Sequence, residues 1–445
     1  MSTTKHPGIN EGSHTGTDEL MELVVERSNM QQAYRRVVGN KGAAGVDGMT
    51  VDQLRTYLKT NWEVIKTALL NDSYQPQGVR VVMIPKPSGG ERQLGIPTVV
   101  DRLIQQALHQ VLGLIYDPTF SDNSYGFRPG RSGPPAVRKS QRFINENKRW
   151  VVDVDLSKFF DEVNHARLLS KLRKRIVDRR VVHLIDRYLR AGILKDGLVE
   201  ARSKGTPQGS PLSPLLSNIV LDELDKELER RNLRFVRYAD DFQIYVGTRR
   251  SAERVMASIG KFISNKLKLK VNEKKSEVGR PWDRIFLGYS FTTNKSIKLK
   301  PAKASLKRLR GKVKSKFRRG KGRNIQDFIH DDLNPLLRGW AFYFNQSETK
   351  QFAEQLDSWV RRHLRKVKWI QWKRNWTRKE GLQARGLSEE RAVRSAFNRL
   401  GPWWNSGASH MNEAFPKRYF DKMGMVSIAK ILHHAKPIGE LWEPP

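Results

Sequence analysis

Two adjacent carboxylates, Asp240 and Asp241, lie within the segment RYADDFQIYV. Aromatic and β-branched residues flank them, which predicts two short buried strands joined by a hairpin with the acidic pair at its turn. Neighbouring carboxylates in a buried setting repel each other and lose hydration unless a cation neutralises them. The segment therefore suggests a divalent metal site, and a polar turn exposed to water is the alternative interpretation.

A second acidic segment, RWVVDVDLSKFFDEVNH, offers Asp153, Asp155 and Asp161. Strand alternation puts Asp153 and Asp155 on the same face. If one of these residues joins Asp240 and Asp241, three carboxylates suit two Mg²⁺ ions about 4 Å apart. Such a pair of ions activates an attacking hydroxyl and stabilises a leaving pyrophosphate, which is the chemistry of nucleotidyl transfer. Acidic strands balanced by nearby Lys and Arg are the alternative interpretation.

The composition indicates a polyanionic partner. The 445 residues include 82 Lys and Arg against 46 Asp and Glu, a formal net charge of +36, which favours nucleic acid over a membrane surface. The chain has no cysteine, so disulfides, thiol catalysis and cysteine-based zinc sites are excluded. No apolar run is long enough to span a bilayer, and the N-terminal segment has no hydrophobic signal core. We therefore expect a cytoplasmic protein.

Local patterns divide the chain into a tail and three regions. Residues 1–20 are expected to form a flexible N-terminal tail. Residues 21–292 mix helical patterns such as DRLIQQALHQVLGLIYD with strand patterns such as GVRVVMIPK and RWVVDVDL, which predicts an α+β region. Residues 293–380 are dense in Lys and Arg at helical spacing, and residues 381–445 are expected to form a small appended module.

The basic helical region combines tryptophans with cations. Trp369, Trp372 and Trp376 are spaced to share one helical face, for which core packing is the first interpretation and base stacking the second. The surrounding cations have too few acidic neighbours to pair with, so we expect them to follow phosphates. The residues expected to do so are Arg361, Arg362, Arg365, Lys366, Lys368, Lys373 and Arg374.

Several motifs in succession resemble those of the reverse transcriptases encoded by bacterial group II introns. YADD follows GTPQGSPLSPLLSNIVL and VVDVDLSKFFD, while NKGAAGVDGMTVDQL, IPKPSGGERQLGIPTVVDRLIQQA and SYGFRPGRS precede them. LKVNEKKSEV, FLGYSF and LLRGWAFYF then resemble the end of the palm, the primer grip and the maturase thumb. The resemblance implies an α+β right-hand polymerase of fingers and palm, an α-helical thumb or maturase domain, and a small C-terminal DNA-binding module.

The family resemblance implies an RNA-directed DNA polymerase that reverse transcribes intron RNA and, as a maturase, assists its splicing and mobility. The implied partners are group II intron RNA, an RNA template with a DNA or RNA primer, target DNA and dNTPs, within a bacterial cytoplasm and at the nucleoid during mobility. Because an HNH endonuclease domain with paired cysteines is missing, we expect an endonuclease-lacking type similar to the group IIC proteins. A host-adopted reverse transcriptase in phage defence or DNA repair, or a splicing factor alone, are the alternatives.

The resemblance also assigns the metal site. Asp155 is preferred to Asp153 because the family places a sugar-sensing aromatic residue five positions after its catalytic aspartate, where this chain has Phe160. Phe160 would exclude a 2′-hydroxyl by its bulk, whereas a core position beside Phe159 is the alternative. The residues assigned to the metal site, which would hold two Mg²⁺ ions, are Asp155, Leu156, Asp240 and Asp241.

Four residues match the family's nucleotide-binding positions. Lys86 and Arg92 bracket the turn PKPSGGER, and a lysine point charge with a forked arginine suits a triphosphate. Gln208 and Gly209, in TPQGSPLSP, match the loop that supports the templating base and the nucleotide.

The resemblance assigns two further segments. Lys275 matches a lysine that protonates the pyrophosphate leaving group, and Lys274 beside it leaves this assignment open. Asn40, Lys41 and Gly42 begin a loop that is expected to cover the template, because its glycines allow the backbone to approach a phosphate chain. A plain turn between helices is the alternative for that loop.

Overall fold

The structure is a computed structural model, and it describes residues 17–85, 89–195, 198–200, 204–320 and 322–434. The chain divides into two compact units. The first unit comprises Met1–Ser132 and Val151–Val278, and the second comprises Gly133–Trp150 and Gly279–Pro445. The first sixteen residues of the expected tail lie outside the described residues, and Leu20 already begins a helix.

Within the described residues, ten strands form three sheets. In chain order they are β1 (Val79–Pro85), β2 (Glu91–Ile96), β3 (Trp150–Val154), β4 (Ile193–Lys195), β5 (Leu198–Glu200), β6 (Arg234–Tyr238), β7 (Asp241–Val246), β8 (Glu277–Gly279), β9 (Tyr289–Phe291) and β10 (Leu299–Pro301). The strand orders are β2-β1-β4-β5, β6-β7-β3-β8 and β10-β9.

Helices make up most of the remainder. In the N-terminal half they are α1 (Leu20–Val25), α2 (Arg27–Gly39), α3 (Leu54–Leu70), α4 (Val99–Tyr116), α5 (Gly133–Asn145), α6 (Phe159–Glu162), α7 (His165–Arg173), α8 (Arg179–Arg190), α9 (Ser213–Arg230) and α10 (Arg249–Phe262). The later helices are α11 (Lys303–Arg319), α12 (Ile325–Asp327), α13 (Asn334–Tyr343), α14 (Gln351–Gln371), α15 (Asn375–Gln383), α16 (Glu389–Ala396), α17 (Pro402–Gly407), α18 (Ser409–Ala414), α19 (Lys417–Lys422) and α20 (Ile428–His434).

The sheet β6-β7-β3-β8 carries the acidic segments. β6 and β7 pair antiparallel, with Phe235 opposite Ile244 and Tyr238 opposite Asp241. Apolar residues of β3, β6 and β7 are buried, because both faces of this sheet are covered. The predicted strands GVRVVMIPK and RWVVDVDL are observed as β1 and β3, and the predicted helix DRLIQQALHQVLGLIYD as α4. The α+β character of this region is therefore confirmed.

The second unit is helical around one continuous core, apart from the β9–β10 pair and its short turns. Side chains on both sides of residue 381 enter this core, among them Leu309, Phe317, Phe328, Leu337 and Leu364 before it and Met411, Phe415, Phe420, Ile428 and Leu432 after it. The buried Asp357 carboxylate accepts hydrogen bonds from the Ile428 amide (2.9 Å) and the Ser427 hydroxyl (2.6 Å), which caps α20. The boundary predicted at residue 381 therefore does not divide the described residues of this unit.

The expectation that three tryptophans share one helix was wrong. α14 ends at Gln371, and Trp372 turns out of the helix to pack its ring 5.5 Å from that of Phe415. Trp369 is buried in the core, as the first interpretation held, whereas Trp376 lies on α15 and is exposed. The helical pattern continues through the sequence, but α14 ends at Gln371, and the partly buried Trp372 ring packs against the helical core.

Among the described residues, no helix is both long enough and apolar enough to cross a membrane.

Candidate active site

The acidic pair lies at a hairpin turn, as its flanking residues predicted. β6 ends at Tyr238 and β7 begins at Asp241, so Ala239 and Asp240 form the turn. Ala239 has a φ of +58°, a left-handed conformation that costs energy for a residue with a Cβ atom. The surrounding structure must therefore stabilise this turn.

Arg237 supplies part of that support from beneath the turn. Its side chain is 0% exposed and forms a bidentate salt bridge with Asp225 on α9. Nε lies 2.7 Å from Oδ1, and Nη2 lies 2.5 Å from Oδ2. The same guanidinium donates to the Asn218 side-chain oxygen (2.9 Å) and to the Ala239 carbonyl (3.0 Å). A buried charge is tolerated when it is paired and its donors are satisfied, so this network fixes the backbone next to Asp240.

The segment SYGFRPG packs directly on the same turn. The Tyr125 amide donates to the Arg237 carbonyl, and the Arg237 amide donates to the Asn123 carbonyl, both at 2.9 Å. A Cβ atom on Gly126 would clash with the backbone of Ala239, and the Gly126 carbonyl accepts from the Asn218 amide group (2.9 Å). Glycine is required here because two backbone segments touch.

Asp155 follows β3 and is held by the segment NEKKSEV. Its amide donates to the Ser276 hydroxyl (3.0 Å), and its carboxylate accepts from the Asn272 side chain (2.8 Å). Lys275 lies 3.7 Å from the same carboxylate, and both Lys274 and Lys275 are exposed to solvent. The geometry therefore associates Lys275, the preferred lysine of the pair, with Asp155.

The carboxylates interact strongly with one another. The Asp241 side chain keeps a solvent-accessible face, yet desolvation within the cleft, followed by the negative charges of Asp153, Asp240 and Asp155, raises its pKa to about 8. Desolvation also raises the pKa of Asp240, and Asp155 adds to the effect, while Arg92 opposes it. The negative charges of Asp153, Asp155 and Asp240 thus all act on the Asp241 carboxylate.

The donor set fits a hard divalent cation that also binds a substrate. Within the described part of the chain, no three acidic or histidine side chains form a closed metal-binding group. Mg²⁺ is commonly held by one or two carboxylates with substrate phosphates and water, rather than by a cage of protein ligands. The side chain of Leu156 is buried and is a hydrocarbon, so only its carbonyl oxygen could join such a site.

The predicted nucleotide residues of the loop and of β2 lie together. Arg92 Nε donates to the Gln208 side-chain oxygen (2.5 Å), and the Gly95 amide donates to the Gln208 carbonyl (2.8 Å). Gly209 has a φ of +113°, and a Cβ atom there would lie 2.9 Å from the Gly95 carbonyl oxygen. Lys86 lies outside the described residues. Arg92 and Gln208 are therefore brought together by the fold.

Phe160 lies on the short helix α6 next to the same loop. Its side chain is 8% exposed and meets Phe159 edge to face at 5.3 Å, while the Thr206 amide donates to its carbonyl (2.6 Å). The residue thus borders the loop that contains Gln208. Its burial is equally consistent with the alternative that Phe160 is a core residue.

Packing within the protein explains at least one glycine, Gly42, of the loop that begins at Asn40. Asn40 and Lys41 are exposed, but a Cβ atom on Gly42 would clash with the Arg102 guanidinium. That guanidinium donates to the Ala43 carbonyl (2.7 Å). Close contact with α4 therefore explains Gly42 without a phosphate chain.

The predicted phosphate-binding cations differ in exposure. Lys373 and Arg374 are exposed, and a further four on α14 are half-buried: Arg361, Arg362, Lys366 and Lys368. Arg365 is only 8% exposed, its Nε donates to the Phe415 carbonyl (3.0 Å), and burial lowers its pKa to about 10. Arg365 serves the core, so we no longer assign it to phosphate binding.

Sequence reasoning missed the residues that support the site. Arg237 and Asp225 were not singled out, although a cation inside the apolar strand FVRY is a signal of a buried ion pair. Asn218, Gly126 and Asn272 gave no comparable signal, because each acts through a residue that is distant in the sequence.

Two known families match successive parts of the chain. Residues 84–291 match the reverse transcriptase (RNA-dependent DNA polymerase) family. Residues 306–386 match the group II intron, maturase-specific domain. The first match includes the hairpin carboxylates, and the second includes α11, α13 and α14.

Individual proteins are also similar to this chain. Protein YkfC of Escherichia coli (strain K12) is 33% identical over 318 residues, which cover 62% of this chain and 84% of YkfC. The group II intron-encoded protein LtrA of Lactococcus lactis subsp. cremoris is 31% identical over 354 residues, 65% of this chain and 57% of LtrA. The chain thus spans little more than half of LtrA. Among solved structures, a telomerase chain from Candida albicans has a TM-score of 0.42 at 14% identity, covering 65% of this chain and 58% of that one.

Proposed function

Because the chain belongs to the family of group II intron-encoded reverse transcriptases and maturases, we propose that it copies intron RNA into DNA and also binds that RNA to assist splicing and mobility. Its enzymatic class is RNA-directed DNA polymerase. Its substrates in this proposal are dNTPs and an RNA template with a DNA or RNA primer, and its further partner is target DNA.

The observation that carries the proposal is the meeting of Asp155 with the hairpin carboxylates Asp240 and Asp241. These residues come from distant parts of the chain, yet each lies within the electrostatic field of the others. Reverse transcriptases use divalent metal ions, and we assign two Mg²⁺ ions to these carboxylates with the Leu156 carbonyl. When bound, the ions would make the primer hydroxyl a better nucleophile and would neutralise the charge of the phosphates.

The other residues of this unit then bind and orient the nucleotide. Arg92, fixed by Gln208, offers a forked donor to the triphosphate, with Lys86 as a second cation. Phe160 limits space at the 2′ position of the sugar. In this proposal Lys275, whose side chain is 65% exposed, gives a proton to the departing pyrophosphate.

RNA binding by the helical unit rests on its cations. Arg361, Arg362, Lys366, Lys373 and Arg374 give this unit many separate phosphate contacts. Asn40 and Lys41 add contacts near the template. Association with the nucleoid would follow when the protein engages target DNA.

Primer extension on an annealed RNA template, with Mg²⁺ as the only metal, tests the proposal. We expect Asp240→Asn to lower the extension rate by about a thousandfold, because losing a metal ligand removes several kcal/mol of transition-state stabilisation. RNA affinity should stay within about twofold, since it depends on many phosphate contacts. The matched control is Asp186→Asn, which neutralises a half-buried carboxylate that pairs with Arg190 on α8, away from the proposed metal site. Extension by Asp240→Asn at a tenth of the wild-type rate or more contradicts the assignment.

A further inference from the structure

The second unit contains a cavity of about 460 Å³ that the catalytic proposal does not use. It lies among α11, α14 and α17, and its volume is typical of small-ligand sites. We name it the His363 pocket. Its lining residues are Lys314, Phe317, Arg318, Trp359, His363, Lys366, Val367, Ile370 and Trp403.

Aromatic rings surround His363 on three sides. The His363 ring stacks on Phe317 with centroids 5.0 Å apart, meets Trp359 edge to face at 4.5 Å, and lies 4.8 Å from Trp403. Such flat apolar surfaces suit another planar ring, because base–aromatic stacking tolerates any base.

Trp403 is held in place although its ring is 39% exposed. The Arg362 guanidinium lies 4.1 Å from the ring centroid and donates to the Trp403 carbonyl (3.1 Å). A Cβ atom on Gly407 would lie 2.8 Å from the same guanidinium, so glycine makes room for this clamp. The partly exposed ring is therefore a preorganised stacking surface.

His363 contributes a buried, uncharged ring to the lining of the pocket. The side chain is only 9% exposed, and its Nε2 atom has no hydrogen-bond partner among the described residues. Desolvation, followed by the charges of Lys366, Lys314 and Arg362, lowers its pKa to about 4, so the imidazole is neutral at pH 7. The Nε2 atom is not accessible to solvent, so the part of His363 that can contact a ligand is its flat, uncharged ring.

The rim of the pocket is positively charged. Lys314 and Arg318 are exposed, Lys366 is half-buried, and none of the described lining residues is acidic. An aromatic pocket with a cationic rim complements an anionic group attached to a flat ring. Eight of the nine lining residues fall in the segment that matches the maturase-specific domain, and only Trp403 lies beyond it. This placement favours RNA as the source of the ligand.

We propose that the His363 pocket binds one unpaired nucleotide of a single-stranded RNA segment, with the base stacked beside Trp403 and Trp359 and its phosphates at Lys314, Arg318 and Lys366. The inference rests on the proposed RNA-binding function and gives that function a specific site. A base paired in a duplex is stacked on its neighbours and cannot enter, so the pocket distinguishes single strands from double strands.

The test compares Trp403→Ala with Trp404→Ala in the full chain. Trp404 is the adjacent residue, is 53% exposed and does not line the pocket. Fluorescence anisotropy gives affinities for a short single-stranded RNA, the same RNA as a duplex, and single-stranded DNA of the same sequence. We expect Trp403→Ala to weaken single-stranded RNA binding by about 5- to 150-fold, the range of one lost base stack, with duplex affinity within about twofold. Trp403→Phe should keep most of the affinity, and Trp404→Ala should behave as wild type.

Four outcomes overturn the inference. Equal losses for single-stranded and duplex RNA would indicate a general electrostatic or folding effect, which a matching fall in melting temperature would identify. A loss confined to DNA would reassign the pocket to another ligand. Unchanged affinity in Trp403→Ala, with normal binding by the wild type, would refute the pocket alone, whereas a wild-type protein that binds no RNA would refute the proposed function as well.

Photochemical crosslinking provides a second measurement that needs no substitution. An RNA containing 4-thiouridine is irradiated with the wild-type protein, and the attached peptides are identified by mass spectrometry. Crosslinks at Trp359, His363 or Trp403 support the inference. Crosslinks only at exposed residues such as Lys373 and Arg374 contradict it, whatever the stability of the variants.

Discussion

The two units of this protein use opposite arrangements of charge. In the first unit, the proposed metal site consists of a few carboxylates, and buried polar bonds such as the ion pair of Arg237 with Asp225 support the hairpin that carries two of them. In the second, exposed and half-buried cations cover an apolar core that reaches α20. Catalysis by metal ions requires ligand atoms at fixed positions. The affinity for a nucleic-acid backbone, in contrast, is the sum of many phosphate contacts. Single substitutions should therefore be severe in the first unit and mild on the surface of the second.

The largest effect should come from ending the chain after residue 380. This removes Phe415, Phe420, Ile428 and Leu432, each of which is fully buried. A buried side chain of this size contributes about 1.5–3 kcal/mol, and whole domains are stable by only about 5–15 kcal/mol. We expect the second unit to lose its thermal transition, together with RNA binding. The matched control is Trp404→Ala, which changes an exposed side chain within the removed segment and should melt like the intact protein.

This truncation also decides between two interpretations of residues 381–434. If they formed a separate DNA-binding module, the shortened protein would melt near the intact one, extend primers and lose only target-DNA binding. The shared core leads us to expect the opposite result.

A smaller but still large effect is expected from Arg237→Met. The substitution breaks a buried ion pair and leaves the charge of Asp225 without a partner, so the free energy of unfolding should fall by about 3–5 kcal/mol. Chemical denaturation of the full chain measures this change. The double variant Arg237→Met with Asp225→Leu should recover much of that stability. Primer extension should remain impaired in the double variant, because the Ala239 carbonyl has lost its donor. Full recovery of extension would show that Arg237 has only a structural role.

Phe160→Ala should have an intermediate effect on substrate choice. Removing the ring opens space for a 2′-hydroxyl, so the preference for dNTPs over rNTPs should fall by about 10-fold or more, as single steric differences in a pocket allow. Phe159→Ala is the matched control, since that ring is buried beside Phe160. If the discrimination ratio is unchanged in Phe160→Ala while the melting temperature falls in both variants, Phe160 is a core residue and the choice of Asp155 loses its support.

The smallest effect should follow from Lys373→Ala on the exposed surface of the second unit. Losing one phosphate contact should weaken RNA binding by less than about threefold at physiological salt and lower the slope of affinity against salt by about one unit. Titrations at several salt concentrations measure this slope. A loss comparable to that from Trp403→Ala would mean that RNA binding is concentrated at few residues in this unit too.

Local patterns predicted much of the first unit correctly. Alternation in RWVVDVDL, the helical spacing of DRLIQQALHQVLGLIYD and the acidic hairpin all appear as β3, α4 and the β6–β7 turn. These elements depend on residues close together in the chain, so their neighbours carry the signal. The family resemblance was needed to prefer Asp155 to Asp153 and to name Arg92 and Gln208 as site residues.

The sequence by itself determined the chemistry available to this protein: paired aspartates without cysteine, an excess of cations, and the strands and helices that carry them. Only the tertiary structure decided which atoms meet. It placed Asp225 under the hairpin, turned Trp372 out of α14 toward Phe415, buried Arg365, and joined residues 381–434 to the helical core. The physical reason is that each of these contacts joins residues far apart in the chain, where burial and the pairing of buried charges act through space.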